Sequence, residues 1–250
     1  MYYIHNNLNV YYEKLGRGKE IILLHGWAAN NNIYKKIVDR LVSKYSVYLI
    51  DLPGFGKSID LDKEYTLDDY VLFLKKFIET LKIDNPILIG HSFGGRIAIR
   101  YSIENKVDKI VLIDSAGIKR VSIKNKYKIY KYKLKKKYYI LTKNIAKLEK
   151  LQNDSGSIDY RNASNIMKKT LINVVNENQK NELKEISVEV LLLWGKLDKS
   201  TPHKDGLLMN KLIKNSGLVT FTNSGHFPFI DEEPFFLKVI SSFLNIGDNI

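Results

Sequence analysis

The stretch Ile87-Leu88-Ile89-Gly90-His91-Ser92-Phe93-Gly94-Gly95 governs the reading of every other segment. A short apolar run of β-type residues leads into a G-x-S-x-G pentapeptide from Gly90 to Gly94. One more glycine follows, and Arg96-Ile97-Ala98-Ile99-Arg100-Tyr101 then reads as a helix. The three parts predict a strand, a tight turn and a helix. A serine at the apex of such a turn sits in a cramped backbone conformation that only small neighbours permit, which is the role of Gly90 and Gly94. Its hydroxyl points outward. Because Ser92 also opens a helix, unpaired N–H groups and the positive end of the helix dipole lie beside it, suited to stabilising an oxyanion. The pentapeptide by itself is a weak signal, since a glycine-rich strand-to-helix turn without chemistry has the same pattern.

The flanking sequence supplies the context. Leu8 to Glu13 alternates as a half-buried strand should, and Gly16-Arg17-Gly18 turns it into Glu20-Ile21-Ile22-Leu23-Leu24. Continuous apolar runs suit strands covered on both faces, and they recur at 46–50, 87–89, 110–113 and 188–193. Amphipathic helical stretches separate them, at Tyr34 to Val42 and at Leu67 to Leu81, the latter opened by Thr66 with Asp69 three residues on. Strands alternating with helices predict an α/β fold with a mostly parallel sheet covered on both faces. The alternation breaks between about 118 and 186. There Tyr127, Tyr130, Leu134, Tyr138, Leu141, Ile145 and Leu148 follow spacings of three and four, which predicts a lysine-coated helix whose apolar face packs over a pocket; an alternating strand over 130–134 is the other reading and covers less sequence. A polar patch at 152–157 and a helical run from Asn165 to Val175 follow. The α/β rhythm then resumes with a helix near 204–213, a strand at 218–221 and a closing helix from Pro234 to Leu244. No internal repeat is present.

A serine hydroxyl is a poor nucleophile at neutral pH and needs a histidine base, itself oriented by a carboxylate. Among five histidines, His226 in Ser224-Gly225-His226-Phe227-Pro228 follows the last expected strand, at the edge where an open α/β sheet presents its reactive groups. Asp198 lies on the loop after the preceding strand, in Trp194-Gly195-Lys196-Leu197-Asp198. The order is Ser92, Asp198, His226. Asp114, at the end of the 110–113 strand, is a rival acid. His25 and His91 read as turn-orienting residues, Asp51 as a shaper of the Pro-Gly turn, and His5 and His203 have no supporting context. Trp27 reads as a packing residue that lines the pocket.

With these motifs in register the chain resembles the α/β-hydrolase superfamily, whose triad runs in the same order. The resemblance covers nearly the whole chain. It rests on His25-Gly26-Trp27, Asp51-Leu52-Pro53-Gly54-Phe55-Gly56-Lys57-Ser58, Gly90 to Gly95, Gly195-x-x-Asp198 and Gly225-His226. It implies the α/β-hydrolase fold, with a core of residues 1–117 and 187–250 and a helical, Lys/Tyr-rich cap insertion at 118–186. It implies Ser92, Asp198 and His226 as catalytic residues and the backbone N–H groups of Trp27 and Phe93 as the oxyanion hole, with no metal and no cofactor. Serine, where epoxide- and halide-processing members carry aspartate, implies acyl transfer. The expected activity, most like that of small bacterial carboxylesterases, is cleavage of a small carboxylic ester, thioester or lactone through an acyl-enzyme. Hydrolysis of a C–C bond at the same site is the alternative.

Charge bears on the partners. The chain has 250 residues and a formal net charge of +13, yet thirteen of its Lys and Arg and only one acid fall between Lys119 and Lys150, so basicity belongs to one segment. A small-molecule acyl substrate, drawn in if anionic, is the expected partner. Nucleic-acid or anionic-membrane binding by this segment, and ligand sensing on a hydrolase scaffold, are the readings outside hydrolysis. The absence of cysteine removes disulfides, thiolate nucleophiles and Cys-ligated metals. No run reaches bilayer-spanning length and the first residues lack a basic-then-apolar leader, so the expected location is cytoplasmic.

Overall fold

The computed structural model describes residues 1–6, 8–58, 60–119, 123–153 and 158–247. In chain order, β1 (Tyr2–His5) and β2 (Leu8–Gly16) form an antiparallel hairpin. β3 (Glu20–Leu24), α1 (Lys35–Leu41), β4 (Ser46–Ile50), α2 (Leu67–Thr80), β5 (Ile87–His91), α3 (Phe93–Glu104) and β6 (Lys109–Ile113) follow. Between β6 and the next strand lie α4 (Ile123–Leu141), α5 (Ile145–Asn153), α6 (Ile158–Asn162), α7 (Asn165–Asn176) and α8 (Glu182–Glu185). β7 (Glu189–Gly195), α9 (Lys204–Leu212), β8 (Ser216–Phe221), α10 (Pro228–Asp231) and α11 (Glu233–Phe243) complete it.

The strands make one sheet in the order β1-β2-β4-β3-β5-β6-β7-β8. It is parallel from β4 to β8, with β1 and β2 antiparallel at one edge. Successive strand residues point to opposite faces, so Ile22, Leu24, Leu88, Leu112 and Leu192 join the core under α2 and α3, while Ile21, Leu23, Ile89, Val111 and Leu193 join the core under α1 and α11. The continuous apolar runs are thus two half-faces each. Register places His91 opposite Ile113, Ile113 opposite Leu193 and Gly195 opposite Phe221. The loops after β5, β6, β7 and β8 therefore leave the sheet along one edge. No helix among the described residues is long and apolar enough to cross a membrane.

The structure adds one element to the expected ones and corrects two expectations. The hairpin strand β1 was not foreseen: it is short and mostly solvent-facing, and its turn starts at Asn6 with φ 48°. The single helix expected over 127–148 is two, α4 and α5, separated at 142–144 where Lys143 takes φ 51°. Their apolar residues do not cover a pocket either. Tyr127, Tyr130, Leu134, Tyr138 and Leu141 share one face of α4 and are 51% to 72% exposed, and no described residue of α4 or α5 belongs to either core cluster. The pocket is covered instead by α7, whose Met167 and Val174 are buried in the core, and Tyr65 N–H donates to Thr170 Oγ1 at 2.9 Å to pin that helix. Of the polar patch at 152–157, Gln152 and Asn153 end α5, and 154–157 lie outside the described residues.

Helix and sheet meet backbone to backbone at the start of α3, where a Cβ on Gly94 would stand 2.0 Å from the Leu24 carbonyl oxygen. Gly94→Ala should lower Tm by about 5 °C or more, because overlap with backbone costs about 1–3 kcal/mol of forced displacement. At Gly217 a Cβ would meet nothing within 4 Å, so Gly217→Ala should move Tm by less than about 2 °C. Thermal melts of the two variants compare them directly, and equal Tm values would mean that α3 does not press on β3.

Candidate active site

β5 delivers Ser92 at the sheet edge in the backbone conformation φ 50°, ψ −108°. A residue with a side chain pays about 1–3 kcal/mol to sit in so sparsely populated a region. Three hydrogen bonds hold it there: Ser92 N–H donates to Ile113 O at 3.0 Å, and Ser92 O accepts from Gly95 N–H at 3.1 Å and Ala116 N–H at 3.0 Å. Phe93 is the first residue of α3, so its N–H has no intrahelical acceptor. Trp27 lies on the loop that leaves β3, and a Cβ on the adjoining Gly26 would come 3.3 Å from Ser92 Cβ. Among the described residues neither the Trp27 nor the Phe93 N–H is bonded to a protein acceptor.

Asp198 and His226 meet across the loops after β7 and β8. His226 Nδ1 lies 2.7 Å from Asp198 Oδ2, so Nδ1–H donates and Nε2 is left as the free nitrogen. The carboxylate is held in turn: Asp198 Oδ1 accepts from Ser200 N–H at 2.7 Å and Thr201 N–H at 3.1 Å, and Thr201 Oγ1 lies 2.7 Å from Oδ2. Burial pushes this carboxyl up, but the bonds from His226 and Thr201 outweigh it and hold Asp198 at about 2. The two loops abut so closely that a Cβ on Gly195 would stand 1.8 Å from Gly225 O. His91, next to Ser92 in the chain, sets the other side of the base: its Nε2–H donates to the His226 carbonyl at 2.8 Å, and the two rings lie 4.7 Å apart. Burial and the neighbouring His226 pull His91 down to about 3, so it stays neutral and acts as a strut.

Asp114 stands behind this pair. It is fully buried, Oδ1 accepts from Gly195 N–H at 3.0 Å, and Oδ2 has no hydrogen-bond partner among the described residues. Asp114, Asp198 and His226 bring one ligand-type atom each within 4.8 Å of one another. Burial first, and the Asp198 charge after it, push Asp114 up to about 9, so at neutral pH it is a carboxylic acid whose proton faces the Asp198 charge. The geometry therefore gives the two acids different states, with the histidine bonded to Asp198. A metal ion in this cluster would have to displace both the Asp114 proton and the His226 Nδ1 proton.

The remaining histidines and Asp51 are placed as structural residues. His25 Nδ1–H donates to Gly26 O at 2.7 Å and its Nε2 accepts from Leu52 N–H at 3.0 Å, while burial lowers it to about 4. Asp51 accepts from Asn31 N–H and Lys57 N–H. His203 bonds Thr220 Oγ1, and His5 lies beside Asn6. A cavity of about 270 Å³ opens on Ser92 and is lined by Trp27, Phe93, Arg96, Leu171, Val174 and Thr201, among others. Sequence reasoning missed Thr201 and Arg96. The signal for Thr201 was Asp198-Lys199-Ser200-Thr201, a run suited to closing an Asx-type turn around the acid; Arg96 was hidden as an ordinary helix residue.

A family model described as alpha/beta hydrolase fold matches residues 19–128. Over those residues the chain is similar to the α/β-hydrolase superfamily. It is 28% identical over 258 residues to the AB hydrolase superfamily protein YisY of Bacillus subtilis (strain 168), covering 96% of each chain. It is also 28% identical over 246 residues to a pimeloyl-[acyl-carrier protein] methyl ester esterase of Legionella pneumophila (strain Corby), covering 95% of this chain and all of that one. Among solved structures, an esterase from Exiguobacterium antarcticum superposes with a TM-score of 0.75 at 25% identity, covering 95% of this chain and 96% of the other. A meta-cleavage product hydrolase from Pseudomonas fluorescens IP01 shares the fold at 20% identity and a TM-score of 0.74, covering 98% and 97%. With relatives and structural neighbours that are named esterases and hydrolases, the protein is an enzyme.

The Asp114 carboxyl makes a prediction about stability. Its folded pKa is raised, so between about pH 4, where the unfolded acid ionises, and about 9, where the folded one does, the folded state holds the extra proton. Stability from this group therefore falls as pH rises through that window. Asp114→Asn keeps the shape and a donor toward Asp198 and removes the penalty. It should raise Tm by about 2 °C or more at pH 8 while changing it less at pH 4. Melts across that range check this, and a variant equally destabilised at both pH values would mean that Asp114 is not a buried neutral acid.

Proposed function

We propose that the protein is a serine esterase in which Ser92 is the nucleophile, His226 the general base and Asp198 the acid that orients it. The observation that carries the reading is the strained Ser92 turn at the same sheet edge as the His226–Asp198 bond. His226 Nε2 takes the Ser92 Oγ proton as Oγ attacks the ester carbonyl. The N–H groups of Trp27 and Phe93 receive the oxyanion, a contribution worth about 10²–10³ in kcat per donor in sites of this kind. The protonated His226 then gives its proton to the departing alcohol, leaving an acyl-enzyme ester on Ser92. A water molecule, deprotonated by His226, attacks that ester, and collapse returns the carboxylic acid and the free hydroxyl. Every proton in the cycle moves between Ser92, His226, water and substrate. Asp198 stays ionised throughout, which fixes the Nδ1–H tautomer and stabilises the imidazolium.

The segment between β6 and β7 acts as a cap in this reading, with α7 closing the cavity that receives the acyl group. The relatives named pimeloyl-[acyl-carrier protein] methyl ester esterases match nearly end to end, which supports an ester with a small alcohol over a bulky one. A second cavity of about 380 Å³, lined by Phe55 and Met167, shares Trp27 with the first and offers a place for the other end of such an ester.

The test is hydrolysis of a 4-nitrophenyl ester series of increasing acyl length. Ser92→Ala should lose about 10⁴-fold or more in kcat and Asp198→Asn about 10²- to 10⁴-fold. Asp114→Asn should stay within about tenfold, since the neutral acid it replaces makes no bond to the histidine. A Ser92→Ala protein that keeps a tenth of the activity sinks the assignment of the nucleophile, and a larger loss at Asp114 than at Asp198 transfers the acid role.

A further inference from the structure

An arginine carries five N–H donors and cannot shed its charge, so a buried one is ordinarily paired with a carboxylate. Arg96 breaks that pattern. It lies one turn after Ser92 on α3 and is only 6% exposed. Among the described residues its guanidinium makes one hydrogen bond, Nη1 to the Glu177 backbone carbonyl at 3.1 Å, and forms no ion pair. The acids whose field reaches it are Glu177 and Glu182, and both are held by Arg100, whose Nη2 lies 3.1 Å from Glu177 Oε2 and 2.9 Å from Glu182 Oε1. Arg100 binds Asp68 as well, and Glu182 also accepts from Gln179 Nε2 at 2.8 Å. Among the described residues one guanidinium takes three carboxylates while its neighbour, a turn earlier, takes none.

The leftover donors of Arg96 are not sealed away. Arg96 lines the same cavity as Ser92, and its Nε and Nη2 are absent from the buried atoms that lack partners, where Arg100 Nε does occur. Apolar Phe93, Leu171 and Val174 share that wall with polar Ser200 and Thr201. Asp205 also lines the cavity, and it is not among the acids that act on Arg96. A staple holding Glu177 to α3 would need one neutral donor. The cation is surplus to that task.

We propose that Arg96 is an anion-binding subsite of the acyl pocket, and that the preferred substrates are esters whose acyl chain ends in a carboxylate. This rests on the reading of Ser92 as the nucleophile. Four residues of helix rise place the Arg96 backbone about 6 Å along the axis from Ser92, a separation suited to the monoester of a short dicarboxylic acid. Burial lowers the guanidinium to about 10 against the opposing fields of Glu177 and Glu182, so it is charged at working pH and gains from an anion brought into a poorly solvated site. A pair of that kind is screened far less by salt than attraction by the exposed lysines of α4.

The test compares 4-nitrophenyl hydrogen adipate with its neutral twin, 4-nitrophenyl methyl adipate, following nitrophenolate release at low salt and at about 0.5 M NaCl. Adipate is chosen because shorter diacid monoesters cyclise readily to anhydrides. Wild type should favour the anionic ester in kcat/KM by about tenfold or more, mainly through KM, and keep that preference in high salt. In Arg96→Met the anionic-to-neutral ratio should fall by about tenfold or more. No preference in wild type, a preference erased by salt, or an unchanged ratio in a folded Arg96→Met overturns the subsite. Should Arg96→Met not fold, the wild-type salt comparison decides alone. If wild type cleaves neither ester, the esterase reading fails separately, and calorimetric titration of adipate into the Ser92→Ala protein still decides the subsite: saturable binding that persists in high salt supports it, and no binding overturns it.

Discussion

The Leu24 carbonyl sets how closely α3 can approach the sheet, and only glycine at 94 leaves it room. That contact draws the first turn of α3 down beside the end of β3. As a result Phe93, on the helix, and Trp27, on the loop leaving β3, line one cavity with Ser92 between them in the fold. The same crowding recurs at Gly26, where a Cβ would stand 2.8 Å from His91 Nδ1, and at Gly90, where it would stand 2.6 Å from the Gly94 backbone. Glycines on a strand, a loop and a helix thus bring the serine and the two unbonded N–H groups together before any polar side chain contributes. Gly195, pressed against Gly225, does the same for the loops that carry Asp198 and His226.

Around that frame, charge is distributed unevenly. On one side of the cavity two carboxyl groups share a buried corner, and the cost of ionising both in one place keeps Asp114 protonated while Asp198, with N–H and O–H donors around its oxygens, bears the charge. On the other side two arginines one turn apart share three acids, and Arg100 holds them all. In each pair one member gathers most of the partners and the other keeps few, and the latter, Asp114 and Arg96, stand at the Ser92 end of the sheet.

Much of this was legible in the sequence. Apolar runs separated by amphipathic stretches encode a sheet covered on both faces, and the glycines around Ser92, Asp198 and His226 mark strand ends, because strand ends at a crowded edge need them. What could not be read has specific causes. β1 is too short and too exposed to show a period. Lys143 breaks the helix through a left-handed backbone angle that lysine composition does not announce. The apolar face of α4 has the helical spacing of a buried one, but periodicity records only that a face is apolar, never that something covers it. Arg96 and Arg100 are alike as residues; their difference lies in which of them the returning segment at Glu177 and Glu182 happens to reach.

Three non-glycine residues in left-handed backbone conformations, Ala28, Ser92 and Asp114, follow the ends of β3, β5 and β6 at the one edge where the cavity opens. At Ser92 a glycine would release the strain and remove the hydroxyl in the same step. With Ser92 as the proposed nucleophile, heat tolerance and turnover are opposed at that position. A directed-evolution campaign on this enzyme scored only by survival of heating would drift toward a sturdier protein with an empty elbow, so turnover has to be part of the score from the first round.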